Sequence, residues 1–301
     1  MNQSLPLSLM AALERERFDL VAVVGPTGSG KSRLALSLAD RVGGEIINCD
    51  SRQVYRDFPI ITAQPDQAEQ LSCPHHLYGF LETRTKMTAG WFKDLAEDKL
   101  SAIKTKKAIP ILVGGTGLYL RALLDGLPAI PAIPEAVKAS LRDELAAFGP
   151  LGLYQRLAAN DPDYAAKIHP NNTRHLLRAL EVFTATGRTF SWWHGQHRAG
   201  RSGRHLIIGL KLDPQRKTEI LAARIDDMMA RGALREASMA WESCPDSQAP
   251  GWSGIGCAEL AAWLEGRVDL AGAISQWLAN TNAYSKRQMT WFKAAREIVW
   301  L

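Results

Sequence analysis

Long apolar runs, clustered cysteines and a lopsided charge are all missing from this 301-residue sequence. The longest apolar stretches, such as Leu20 to Val24, are strand-sized, far short of the ~20 residues that a membrane-spanning helix needs. Cys49, Cys73, Cys244 and Cys257 form no CxxC pair and show no metal-ligand spacing, so they read as buried free thiols. The amino terminus, MNQSLPLSLMAALERERFD, has no basic n-region; no signal peptide is expected, and the expected compartment is cytoplasmic. No internal repeat occurs. With 46% hydrophobic and 22% charged residues, the chain is neither disordered nor collagen-like. Lys and Arg number 36 against 31 acids, and a net +5 does not by itself identify a nucleic-acid binder.

What is present is an alternation of strand and helix over the first third. Asp19 to Val24 reads as a strand, Lys31 to Val42 as a helix, and Glu45 to Cys49 as a second strand. Met87 to Lys104 has helical spacing, and Ile109 to Val113 is a third apolar strand entering Gly114-Gly115. Helices between apolar strands predict an α/β fold with a parallel sheet and helices on both faces. The pattern breaks at DGLPAIPAIPEA, where Pro128, Pro131 and Pro134 predict an extended connector. Helices are expected at Glu135 to Phe148, Leu151 to Ala159 and Thr173 to Thr186, the last stopped by Gly187. A further strand is expected at His205 to Leu212, then a helix from Pro214 to Arg231 and a long helix from Leu270 to Arg296. The expected organisation is a core first segment (1–124), a helical insertion domain (125–203), and a second, mainly helical core segment (204–301).

The first chemistry-bearing motif is GPTGSGKS, residues 25–32, which fits GxxxxGK[ST] between a strand and a helix. Gly25, Pro26, Thr27, Gly28, Ser29, Gly30, Lys31 and Ser32 are therefore the candidate diphosphate-binding residues. The glycines let backbone N–H groups turn inward around an anion, and the helix starting near Lys31 adds its positive dipole end. Lys31 supplies a compact cation, and the Ser32 hydroxyl is a candidate ligand for Mg²⁺. No Asp ends a later apolar strand and no NKxD motif is present, so the loop is expected to hold a diphosphate without hydrolysing a nucleotide.

The second strand ends in Asp50-Ser51-Arg52-Gln53-Val54-Tyr55. Ligands of open α/β sheets lie at the carboxyl ends of strands, so Asp50 should project beside the phosphate loop. There it serves either as the cap of a following helix or as a carboxylate accepting a proton from a nucleophile. Thr116 is presented in the same way by GGTGLY, residues 114–119.

GPTGSGKS, DSRQVYR, TAQP, CPHHL, TAGWF, ILVGGTGLY, IHPNNTRHLLRALEVF and SKRQMTWF occur in that order from about Val21 onward. Together they resemble the bacterial tRNA dimethylallyltransferase (tRNA isopentenyltransferase) family. The resemblance implies transfer of a dimethylallyl group from dimethylallyl diphosphate to N6 of the adenosine that follows the anticodon, with Mg²⁺ as cofactor. Asp50 then matches the acid that takes the N6 proton, and Thr116 the residue contacting both reacting adenosine and donor. Arg224 matches an arginine that stabilises departing diphosphate. The family often has another arginine four residues earlier, where this chain has Ile220. Contacts to tRNA are implied at Asp50, Ser51, Arg52, Gln53, Thr116, Lys138, Arg174, His175 and Arg178. GWSGIGCAEL, residues 251–260, departs from the pattern: Ser253, Cys257 and Ala258 replace the more usual basic or aromatic residues. His75 and His76 lack metal-ligand companions and read as structural or donor-site groups.

The charge is unevenly placed. From Ala165 to His205, seven basic residues (Lys167, Arg174, Arg178, Arg188, Arg198, Arg201 and Arg204) face one acid, Glu181. That stretch carries +6 and leaves −1 for the remainder; Trp192 and Trp193 within it offer stacking surface. Two further readings of the phosphate loop remain: a small-molecule kinase with Asp50 activating a hydroxyl, and a nucleotide-switched RNA-binding module.

Overall fold

The computed structural model describes residues 18–196, 200, 202–295 and 297–301. Arg198, Arg201 and Arg296, named above within the basic stretch or the last helix, lie outside the described residues. The chain forms two compact units: Met1–Leu124 with Ser202–Leu301, and Asp125–Arg201.

In the first unit the order is β1 (Leu20–Val24), α1 (Lys31–Val42), β2 (Gly44–Asn48), α2 (Gln67–Ser72), β3 (His75–His76), α3 (Ala89–Thr105), β4 (Ile109–Gly114) and α4 (Gly117–Leu124). The second unit holds α5 (Glu135–Asn160), α6 (Pro162–Ala165), α7 (Thr173–Thr186) and α8 (Phe190–Gln196). The first unit then resumes with β5 (His205–Gly209), α9 (Lys217–Ala230), α10 (Ala233–Ser243), α11 (Cys257–Leu264), α12 (Leu270–Lys293) and β6 (Ile298–Trp300).

The six strands form one parallel sheet in the order β3-β2-β4-β1-β5-β6. Both of its faces are covered, which is why the central strands are apolar at every position rather than alternating. Val21, Val23, Ile46, Ile111 and Val113 pack with Leu34, Ala35 and Leu38 of α1 on one face. Leu20, Ala22, Val24, Ile47 and Leu112 pack with Phe92, Leu100 and Phe292, from α3 and α12, on the other. A third cluster joins Phe58, Ile225, Ala237, Trp252, Leu260 and Trp277. The helical unit has its own core, built on Leu141, Leu153, Leu157, Leu176 and Leu180.

Register is what positions the site. Val24 pairs with Gly114, and Asn48 with Val113, so β1, β4 and β2 end nearly level. The loops leaving them therefore emerge side by side, with the β4 loop in the middle.

Several expectations change in detail. The two helices expected between residues 135 and 159 are both present within Glu135–Asn160, separated by a kink at Gly149 (φ 68, ψ 179) immediately before Pro150. The strand expected to Leu212 ends at Gly209, and the next helix begins at Lys217. The last helix ends at Lys293 rather than Arg296, and the stretch after it adds β6. Strands β3 and β6 span two and three residues, too short to show a period, and exist because a neighbouring strand pairs with them.

Leu100 is fully buried between α3 and the sheet, whereas Leu71 is 80% exposed. Leu100→Ala should cost roughly 2–5 kcal/mol of stability, and Leu71→Ala less than about 0.5 kcal/mol. Urea denaturation of the two variants measures both; equal midpoints would contradict this core.

Candidate active site

The phosphate loop begins at the end of β1. Gly28 (φ 85) and Gly30 (φ 87) take left-handed conformations that cost a residue with a side chain dearly. Gly30 is the N-cap of α1, with no side-chain cap on the helix and no acid in its first turn. The first N–H groups of a helix have no acceptor within it, so an anion can take that place. The Lys31 ammonium donates to the Pro26 carbonyl at 2.7 Å and is thereby folded over the loop. Burial pushes its pKa down to about 8; Asp50 opposes that shift and Arg224 adds to it. Burial also lowers the pKa of Arg224, with Asp50 and then Asp227 pulling the other way. Lys31, Asp50 and Arg224, each partly buried, thus lie close enough to act on one another's charge, brought together from the start of α1, the end of β2 and α9. The Ser29 hydroxyl is buried there with no hydrogen-bond partner, while Ser32 is exposed in the first turn of α1.

Asp50 is held by a turn rather than by a helix. Its N–H donates to Asn48 Oδ1 at 2.7 Å, and its Oδ1 accepts the Arg52 N–H at 2.9 Å. Asn48, fully buried, donates from Nδ2 to the carbonyls of Asp50 (3.0 Å) and Leu77 (2.9 Å). Beside it, Thr116 Oγ1 accepts the Ser51 N–H at 3.0 Å and lies 3.4 Å from Ser51 Oγ. The Tyr284 phenol lies within reach of the Thr116 side chain and of the Asp50 charge. Burial, with Asp50 next, pushes the Tyr284 phenol up to about 12, so it is neutral at physiological pH.

Gly114 must be glycine because a Cβ would lie 2.1 Å from the Cys49 carbonyl oxygen. The loops carrying Asp50 and Thr116 are pressed together by that contact.

Other residues singled out in the sequence hold the protein together. The Arg52 guanidinium donates to Ser253 Oγ (2.8 Å) and the Pro250 carbonyl (3.3 Å). The Gln53 amide donates to the carbonyls of Thr62 (3.0 Å) and Ala63 (2.5 Å). In the divergent 251–260 segment, Trp252 is fully buried and donates to the Cys244 carbonyl at 2.9 Å. Ser253 there anchors Arg52. His76 Nε2 is 2.7 Å from Glu45 Oε2, Lys106 Nζ donates to Glu45 Oε1 at 3.0 Å, and His75 Nδ1 is 2.9 Å from the Cys73 carbonyl. Both histidines brace the sheet edge. Among the described residues no group of three or more His, Cys, Asp and Glu gathers to hold a metal. Cys49 and Cys257 are buried, and burial pushes both thiols well above their usual range, away from reactivity. Cys73 is half-buried, and among the described residues all four cysteines are free.

In the helical unit, Arg174, His175 and Arg178 are exposed on α7. Arg178 lies 3.5 Å from Glu181, His175 Nδ1 is 2.9 Å from Asn172 Oδ1, and Lys138 on α5 contacts Glu135 at 3.0 Å. The Arg188 guanidinium stacks over Trp192, 5.0 Å from the ring centre, and Trp192 meets Trp193 edge-on. Trp193 donates to Thr186 Oγ1, so Trp192 is the more exposed ring of the pair. This is a cationic, aromatic surface of the kind that holds single-stranded RNA.

Asn48, Tyr284 and Gln288 were not candidates from the sequence. Asn48 carries the clearest signal, a polar residue in the otherwise apolar run EIINC. Tyr284 and Gln288 stand four apart in the last long helix, a spacing that puts them on one face, but nothing local names their partners.

A family model described as IPP transferase matches residues 53–295. The tRNA dimethylallyltransferase of Nitratidesulfovibrio vulgaris (strain DP4) is 51% identical over 281 residues, 93% of this chain and 91% of that protein. That of Maridesulfovibrio salexigens is 46% identical over 285 residues, 95% of this chain and 93% of that protein. Among solved structures, the full-length tRNA isopentenylpyrophosphate transferase of Bacillus halodurans superposes with a TM-score of 0.68 at 32% identity, covering 95% of this chain and 90% of that one. A eukaryotic dimethylallyltransferase captured acting on tRNA gives a TM-score of 0.79 at 30% identity, covering 94% of this chain and 73% of that one.

Proposed function

The chain belongs to the IPP transferase family, and from that premise we propose that it transfers a dimethylallyl group from dimethylallyl diphosphate to N6 of the tRNA adenosine that follows the anticodon, releasing diphosphate. The observation that carries this reading is the shared site of Lys31, Arg224 and Asp50: two cations suited to a diphosphate and one carboxylate suited to a proton.

An exocyclic adenine amine is a poor nucleophile, because its lone pair is delocalised into the ring. The reaction therefore depends on stabilising the departing diphosphate as cationic character grows on the allylic carbon. Lys31, Arg224 and the N–H groups at the uncapped start of α1 supply that stabilisation from fixed positions. The C–O bond to diphosphate breaks as the N6–C bond forms, and Asp50 takes the proton that nitrogen must lose. With Oδ1 held by the Arg52 N–H, the carboxylate is oriented before substrate arrives. Thr116, fixed by Ser51, stands beside Asp50 to meet the adenosine. To reach this site the base leaves its stack, as other base-modifying enzymes require.

Magnesium fits the residues present. A hard cation that keeps several waters needs few protein ligands beside phosphate oxygens, and the exposed Ser32 hydroxyl at the loop is one. When bound, Mg²⁺ would supply additional charge neutralisation for the diphosphate. The helical unit, Asp125–Arg201, is the tRNA-contacting insertion of this reading, through Lys138, Arg174, His175 and Arg178. Among the described residues no helix is long and apolar enough to cross a membrane; a tRNA substrate is consistent with a cytoplasmic enzyme. A kinase reading leaves the basic surface of the helical unit without a role.

Incubation with Mg²⁺, unmodified tRNA and labelled dimethylallyl diphosphate should yield N6-dimethylallyl adenosine. Consumption of ATP with no prenylated nucleoside would refute the reading. Asp50→Ala should lower the transfer rate by about 10²–10⁴-fold, with binding of the prenyl diphosphate largely preserved because the bound anion itself favours the charged Lys31. Lys31 is protonated below about 8 and loses its charge as pH rises through that value. The kcat/KM for dimethylallyl diphosphate should therefore fall on the alkaline side with a midpoint near 8; a profile flat to about pH 9.5 would contradict the role of Lys31. Replacing Arg174 and Arg178 together by Ala should weaken tRNA binding and reduce its salt slope by about 1.5, measured by filter binding across a salt series.

A further inference from the structure

We propose that Gln288 is a positioning residue for the transfer, locking the diphosphate loop and the Thr116 loop into one register; the inference rests on the function proposed above. Gln288 lies on α12, is only 4% exposed, and spans two loops with its carboxamide. Its Oε1 accepts the Thr27 N–H at 2.9 Å and lies 3.4 Å from the Thr27 hydroxyl. Its Nε2 donates to the Gly115 carbonyl at 3.0 Å. Neither end can be exchanged. A backbone N–H only donates and a carbonyl only accepts, so a flipped amide would lose both bonds and oppose like groups.

The glycines of the β4 loop record how closely this helix approaches. A Cβ on Gly115 would lie 2.0 Å from Gln288 Nε2, and one on Gly117 would lie 2.2 Å from the Trp291 ring. Neither glycine has a positive φ. The demand for glycine therefore comes from α12 and not from the turn itself. Tyr284, Gln288 and Trp291 follow the i, i+4, i+7 spacing of one helical face, and Gln288 and Trp291 meet the segment around Thr116 at Gly115 and Gly117.

The Thr27 N–H is turned toward Gln288, so among the loop amides it serves the protein instead of the ligand. One buried side chain thereby connects the loop that holds the donor to the loop that meets the acceptor. Bond formation between an allylic carbon and N6 depends on that separation, and a shift of about 1 Å can cost on the order of 10²-fold in rate. Gln288 itself acts through Thr27 and Gly115 and need not touch either substrate.

The test is a double-variant cycle in kcat at saturating tRNA and dimethylallyl diphosphate, with tRNA affinity measured separately without the prenyl donor. Gln288→Ala should lower kcat by about 10–100-fold while tRNA affinity stays within about 2-fold. Gly115→Ala, which displaces the carboxamide without removing it, should lower kcat in the same way. The pair combined should be no worse than Gln288→Ala alone, because truncation makes room for the new methyl and both changes break one link. Additive losses, or a Gln288→Ala variant that melts earlier with kcat unchanged, would overturn the proposal. Gly115→Ala provides the same readout if Gln288→Ala does not fold. A wild-type chain that transfers no dimethylallyl group would instead overturn the function on which the proposal rests, and the proposal with it.

Discussion

Lys31 and Arg224 are two partly buried cations in one site, and Asp50 makes that arrangement tolerable. Burial works against both charges, and Arg224 works against that of Lys31, whose pKa is lowered. Asp50 acts on both in the opposite sense. The same carboxylate thus offsets the repulsion within the cation pair and, in the proposed transfer, accepts a proton once a diphosphate has neutralised that pair. A site poised in this way binds an anion strongly because the anion relieves repulsion already present.

The sheet makes this proximity possible. Level strand ends at β2, β4 and β1 bring out three loops side by side, and the absence of a side chain at Gly114 lets two of them touch. Around them, satisfied polar groups remove freedom: Asn48 makes three bonds that hold the Asp50 turn, and the Arg52 guanidinium is tied to the 250–253 segment. Buried polar groups with every partner in place specify one arrangement, and a half-satisfied set would not. The residues that resemble tRNA contacts by position, Arg52 and Gln53, serve first as parts of that scaffold.

Much of this is legible in the sequence, for local reasons. The limits of Lys31–Val42 and Thr173–Thr186 can be read directly because Gly43 (φ 61) and Gly187 (φ 66) end those helices in left-handed conformations. The phosphate loop is legible because its glycines, lysine and serine lie within eight consecutive positions. Parallel pairing follows from apolar strands separated by helices. Illegible parts depend on distant partners. Gln288 reaches Thr27 across 261 positions and Gly115 across 173. The 75–76 and 298–300 strands exist only through pairing. GGTG reads as a plain turn until the helix pressed against it is seen. The segment 251–260 looks bare of function by its residue types, yet its Trp252 is core and its Ser253 holds the Arg52 guanidinium.

The central claim is that Asp50 holds the charge of Lys31 in the site before substrate binds. Direct titration of the Lys31 ammonium by NMR, in the wild-type chain and in Asp50→Asn, tests it. The account predicts a midpoint near 8 in the wild type and a clearly lower one in the variant, because the carboxylate that raises it is gone. An unchanged midpoint would contradict it.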